Sequence, residues 1–159
     1  MVTDAVIRNK LYAEQFSTRY VLKEPLANDS VLCDEHRIEQ VLTNFLTNAA
    51  KYGGEGDAID VAVTRAGMQL RVSVSDHGPG IPKDFQPRVF EKFAMAHAPK
   101  KAQKNDQKVK SSGLGLSIAK AIIEQHGGTL GFTTKTDVDG DTESATGTTF
   151  WFELPVLKG

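Results

Sequence analysis

Apolar positions recur at helical spacing in two stretches of the chain. In the first, Ile38, Val41, Leu42, Phe45, Leu46 and Ala49 fall on one face, the repeat of an amphipathic helix. Asp34 stands at the N-cap position and Glu35 in the first turn, where a short acceptor and a negative charge favour a helix start. Gly53-Gly54 ends it. The second helix begins after Gly113-Leu114-Gly115, runs to Gln125 or His126 and stops at Gly127-Gly128, since glycine accepts the left-handed turn that closes a helix. Residues 3–17 read as a weaker, more polar helix.

Short apolar and alternating runs mark strands at 19–23, 30–33, 58–65, 68–76, 129–135 and 148–154, with a hairpin turning near Ala66-Gly67. Strands and helices do not alternate regularly. The pattern therefore predicts an α+β two-layer sandwich, a mixed sheet with helices on one face, in preference to a doubly wound fold. His77-Gly78-Pro79-Gly80-Ile81-Pro82 reads as a loop, and Val89 to Phe93 is a short apolar piece. The stretch 99–110, with lysines at 100, 101, 104, 108 and 110, lacks periodicity and also reads as a loop. The acidic stretch 137–147 joins the last two strands.

The 159 residues are enough for one domain, with its core expected at about 30–155. A net charge of −1 gives no general attraction to nucleic acid or to an anionic membrane. Cys33 is the single cysteine, so an internal disulfide is excluded and a reducing, cytoplasmic setting fits. No apolar run reaches the ~18 residues of a spanning helix, and Met1 does not open a signal peptide. Membrane contact by this chain is not expected; an anchor would belong to another part of a longer protein.

Several chemistries are absent. There is no Gly-x-x-x-x-Gly-Lys-Ser/Thr loop. Ile118 stands where a dinucleotide fingerprint after Gly113-Leu-Gly115 needs its third glycine. No histidine pair has metal spacing, and no Gly-x-Ser-x-Gly elbow occurs. Polar residues on the first helix remain. Asn44 and Asn48 lie four apart on one face, with Lys51 and Tyr52 within about 60° of that line. An asparagine oxygen suits magnesium, a lysine suits phosphate and a tyrosine ring can cover a base; the alternative is a solvated helix edge. Asp76 shares the parity of Leu70, Val72 and Val74, so it points to the core side. A buried carboxylate needs donors, either an exocyclic amino group or its own backbone in an Asx-turn near Gly78. Gly78 and Gly80 leave room for a ring or phosphate near the backbone. The segment Ser111 to Leu116 opens a helix, hence either an anion site or an ordinary cap. The lysines before it form either a solvated run or a lid.

Together these residues resemble the histidine kinase branch of the GHKL ATP-binding superfamily. The resemblance spans about 30–155 and rests on five boxes in order: Asn44-Phe-Leu-Thr-Asn48-Ala-Ala-Lys51-Tyr52, Asp76-His-Gly78-Pro-Gly80-Ile-Pro82, Phe90-Glu-Lys-Phe93, Gly113-Leu-Gly115-Leu, and Gly147-Thr148-Thr149-Phe150. It implies the Bergerat α/β sandwich, with ATP and Mg2+ as cofactors. It makes Asn44 and Asn48 the catalytic pair, Asn48 holding the metal and Asn44 orienting the phosphates. Lys51 would touch phosphate, Tyr52 would stack near adenine, and Asp76 would accept from the adenine amino group beside Gly78 and Gly80. Gly113 and Gly115 would hinge the lid, and Thr148 would lie near adenine. Phe90 and Phe93 would anchor the lid's near end. Ile81, Phe93, Lys110, Leu114 and Leu116 complete the nucleotide-binding set.

Gyrase-like, chaperone-like and mismatch-repair relatives carry a glutamate base where this chain has Asn44. The amide suits transfer of the γ-phosphoryl to a histidine, already a nucleophile. The chain departs from the pattern at Ala145 and Ser111, where glycine is frequent, and in using lysines for the lid. None of His36, His77, His97 and His126 has the acceptor's context; each reads as surface or loop. The acceptor is therefore expected on a separate dimerisation domain of the parent protein, with a response regulator downstream. The other readings are a degenerate nucleotide-binding regulatory module and a self-contained GHKL ATPase.

Overall fold

The computed structural model describes residues 1–54, 56–94, 113–136 and 146–158. Two short helices, α1 (Val2–Arg8) and α2 (Lys10–Gln15), precede strand β1 (Arg19–Leu22). Helix α3 (Glu35–Tyr52), the hairpin β2 (Ala58–Ala66) and β3 (Gln69–Asp76), helix α4 (Gly115–Gln125), and strands β4 (Thr129–Lys135) and β5 (Gly147–Pro155) follow. The strands form one sheet in the order β1-β2-β3-β5-β4. Only β1 and β2 pair in parallel; the other three pairs are antiparallel. This is the mixed sheet of the α+β expectation.

Each element follows from its own pattern. Asp34 caps α3 by accepting from the Arg37 amide, which satisfies one of the helix's orphan donors. Gly67 turns the hairpin at φ +63°. Gly127 ends α4 at φ +71°. Alternate residues of the strands, among them Ile59, Val61, Val72, Val74, Phe150 and Phe152, are buried with the apolar faces of α3 and α4. Phe45 lies at their centre, fully buried, its ring centroid 5.5 Å from Phe150 and 6.0 Å from Phe152. On the opposite sheet face Arg71 lies 4.1 Å over Trp151 and pairs with Glu153 at 2.7 Å.

Two local expectations are corrected. The stretch 3–17 is not one helix: it breaks at Asn9, whose Nδ2 donates to the Ala5 carbonyl at 2.8 Å. Asparagine readily bonds nearby backbone in this way and interrupts helices. The stretch 30–33 is not a strand; Val31 makes a single bridge to Val156. The segment has no second ladder residue to extend the pairing. The lysine run 99–110 and most of the 137–147 connection lie outside the described residues.

Candidate functional site

The register of β3 against β5 sets Asp76 opposite Thr148. Asp76 Oδ1 accepts from the Gly78 amide at 2.9 Å and the Thr148 amide at 3.3 Å. The Asx-turn is therefore present, and it uses only one carboxylate oxygen. Among the described residues Oδ2 accepts no hydrogen bond. Burial pushes the Asp76 carboxyl above the ordinary carboxylate range, opposed by the two amides and by neighbouring His77. A depression of about 300 Å³ opens at these strand ends, lined by Asp76, His77, Thr134, Lys135, Gly147 and Thr148 among others.

The glycines of the following loop are packed against protein. A Cβ at Gly78 would lie 2.4 Å from the Tyr52 carbonyl oxygen, and one at Gly80, where φ is +81°, 2.4 Å from that of Lys135. These residues let the loop reach the end of α3 and strand β4, a use of glycine distinct from leaving space for a ligand. Gly78→Ala is expected to destabilise the domain by about 1–3 kcal/mol, the usual cost of overpacking; urea unfolding of the ligand-free protein checks this. Ile81 is half-buried, and its amide donates to Thr134 Oγ1 at 2.8 Å. Thr134 also bonds the Gly147 carbonyl at 3.2 Å and the Thr148 hydroxyl at 2.9 Å. Thr134 was not a candidate, and only its inward parity on β4 hinted at it.

Along α3, Asn44, Asn48, Lys51 and Tyr52 are all half-buried. Eight residues separate Asn44 from Tyr52, a rise of about 12 Å at 1.5 Å per residue. Asn44 Nδ2 donates to the Gly115 carbonyl at 2.9 Å, joining α3 to the first residue of α4. Asn48 makes no side-chain hydrogen bond among the described residues. Partial burial pulls the Lys51 ammonium below its ordinary value. Leu114 is the N-cap of α4 and offers no side-chain cap, while Leu116 packs against the core. Gly113 has φ +71°, and its carbonyl accepts from the Phe93 amide at 2.9 Å. Phe93 and Gly113 therefore meet, although 20 positions separate them in the sequence.

The two phenylalanines part company. Phe90 packs on Phe132 and Phe150 at 6.0 and 6.3 Å, whereas Phe93 is 70% exposed with a left-handed backbone at φ +60°. Lys110 lies outside the described residues. His126, expected as surface or loop, is half-buried instead. Its Nδ1 lies 2.7 Å from the Ile122 carbonyl, and Nε2 accepts from the Asp34 amide at 3.0 Å. Those partners require the neutral Nδ1–H tautomer, because a carbonyl only accepts and an amide only donates.

The sequence model described as histidine kinase-, DNA gyrase B- and HSP90-like ATPase matches residues 33–158. The chain belongs to this family. The adaptive-response sensory kinase SasA of Prochlorococcus marinus is 31% identical over 128 residues, covering 80% of this chain and 30% of that one. This chain therefore spans less than a third of that relative's length. Full-length ShkA, solved in complex with AMPPNP, superposes with a TM-score of 0.77 at 25% identity, covering 99% of this chain and 30% of that one. The catalytic domain of the histidine kinase ThkA gives 0.75 at 26% identity, covering 97% of this chain and 89% of that one. The ATPase-family match takes in α3, the Asp76 strand and α4 together. Among the described residues no helix is long and apolar enough to cross a membrane, and no three acidic, histidine or cysteine side chains form a metal cluster.

Proposed function

We propose that this chain is the Mg-ATP-binding catalytic domain of a two-component sensor histidine kinase. In this reading it passes the γ-phosphoryl to a histidine on a dimerisation domain of the parent protein, with a response regulator downstream. The observation that carries the reading is the unused oxygen of half-buried Asp76, at one end of a polar line whose other end is the α4 N-terminus. An amino group of adenine supplies the donor that Oδ2 lacks. At the other end, free amides and the positive end of the α4 dipole suit phosphate. Asn48, unbonded among the described residues, fits a magnesium ion that takes its remaining ligands from phosphate and water. The sensory-kinase relatives, the nucleotide complex of ShkA and a structure of ThkA in complex with the response regulator TrrA support the same direction. Asn44 in place of a carboxylate base argues against steady ATP hydrolysis.

Calorimetric titration with a non-hydrolysable ATP analogue tests the first half. Binding should strengthen with magnesium, and Asn48→Ala should remove about tenfold of that gain, the size of one charge-assisted contact. Incubation with labelled ATP and the parent's histidine-bearing domain tests the second half. Label on that histidine is the expected result; binding without transfer would leave only a nucleotide-dependent regulatory module.

A further inference from the structure

Asn44 does something that its place in a phosphate site does not explain. Its side-chain nitrogen donates to the Gly115 carbonyl at 2.9 Å, across 71 residues of sequence. A carbonyl only accepts, so the nitrogen must face it, and the amide orientation follows from the partner. A Cβ at Gly115 would lie 3.4 Å from Asn44 Oδ1, so the start of α4 rests directly on this side chain. Leu114 caps α4 without a side-chain acceptor, and the Ser117 hydroxyl is spent on the Leu114 carbonyl at 2.9 Å. In a trans peptide the carbonyl and the next amide point in opposite directions. Holding the Gly115 carbonyl therefore fixes the direction of the Leu116 N–H, one of the unpaired donors at the open end of the helix.

We infer that Asn44 is a positioning residue: its amide clamps the first peptide of α4, so that the helix's free amides stay aimed at the nucleotide phosphates. The inference rests on the nucleotide reading above. It also gives a chemical reason for an amide at this position. A carboxylate there has no proton to donate, and it would set an anionic oxygen against the Gly115 carbonyl.

The test uses wild type, Asn44→Ala and Asn44→Asp, first without nucleotide. Amide hydrogen exchange at residues 118–120, the first bonded turn of α4, should quicken about three- to tenfold in the alanine variant, the worth of one hydrogen bond. It should quicken at least as much in the aspartate variant. ADP affinity should then fall by a similar factor in both variants, equally with and without magnesium. A direct metal or phosphate contact predicts otherwise: unchanged exchange in the free protein, and an aspartate variant whose magnesium-dependent binding equals or exceeds wild type. Either result overturns the inference. Wild type that binds no nucleotide overturns the nucleotide reading instead, and the exchange data still decide whether Asn44 holds α4.

Discussion

Asp76→Asn is expected to weaken binding of an ATP analogue by about ten- to a hundredfold, the cost of losing a hydrogen bond to a charged, half-buried acceptor. The same substitution should leave the fold at least as stable at neutral pH. An asparagine oxygen can still accept from the Gly78 and Thr148 amides, now 2.9 and 3.3 Å from Oδ1. Its nitrogen falls where Oδ2 has no partner among the described residues. The pH dependence follows from the raised folded-state pKa. Burial makes the folded chain hold this proton more tightly than the unfolded chain, whose ordinary value is 3.8. The resulting stabilisation is present below that value and is lost as pH rises through the folded one. Asparagine does not titrate. The stability of the variant relative to wild type should therefore increase with pH across that window. Calorimetry and urea unfolding at a series of pH values check both parts, and a variant that binds normally would exclude Asp76 as the base-recognising group.

Phe45→Ala should cost about 3–5 kcal/mol, the range for emptying a large aromatic from a core. Phe45 is fully buried and meets the rings of Phe150 and Phe152, so rigid neighbours on β5 limit how far the cavity can collapse. Against a typical total of about 5–15 kcal/mol, little stability remains. Phe45 lies between Asn44 and Asn48 on α3, about 100° and 60° from them around the helix axis, so its loss also loosens the helix that carries them. Urea midpoints measure the effect; a shift of under about 1 kcal/mol would mean that the site repacks, contrary to the tight aromatic cluster.

The helices and the hairpin were legible because each is written in local periodicity, and the parity of Asp76 with Val72 and Val74 placed its carboxylate correctly. What escaped was set by distant residues. Val31 extends no ladder because its partner is Val156 alone. Asn9 breaks the first helix with a side chain that also reaches Thr43 at 3.5 Å. The glycines of the Asp76 loop announced close approach, but sequence does not say what approaches, and the neighbours are the Tyr52 and Lys135 carbonyls. His126 caps a helix start 92 residues away. The link from Asn44 to Gly115 likewise joins two residues whose meeting only the packing of α3 on α4 reveals.

The strand order has a consequence for biosynthesis. Strand β5 is made last in the domain, yet it lies between β3 and β4. Until it inserts, β3 has an open edge beside Asp76, and the Thr148 amide is missing from the carboxylate. Thr148 lies 72 residues along the chain from Asp76, and such distant pairings form late and slowly. A nascent chain halted before Gly147 would display α3 and the hairpin without a competent site. Nucleotide can therefore stabilise only the finished domain, and a ligand present during synthesis acts at the last step of folding.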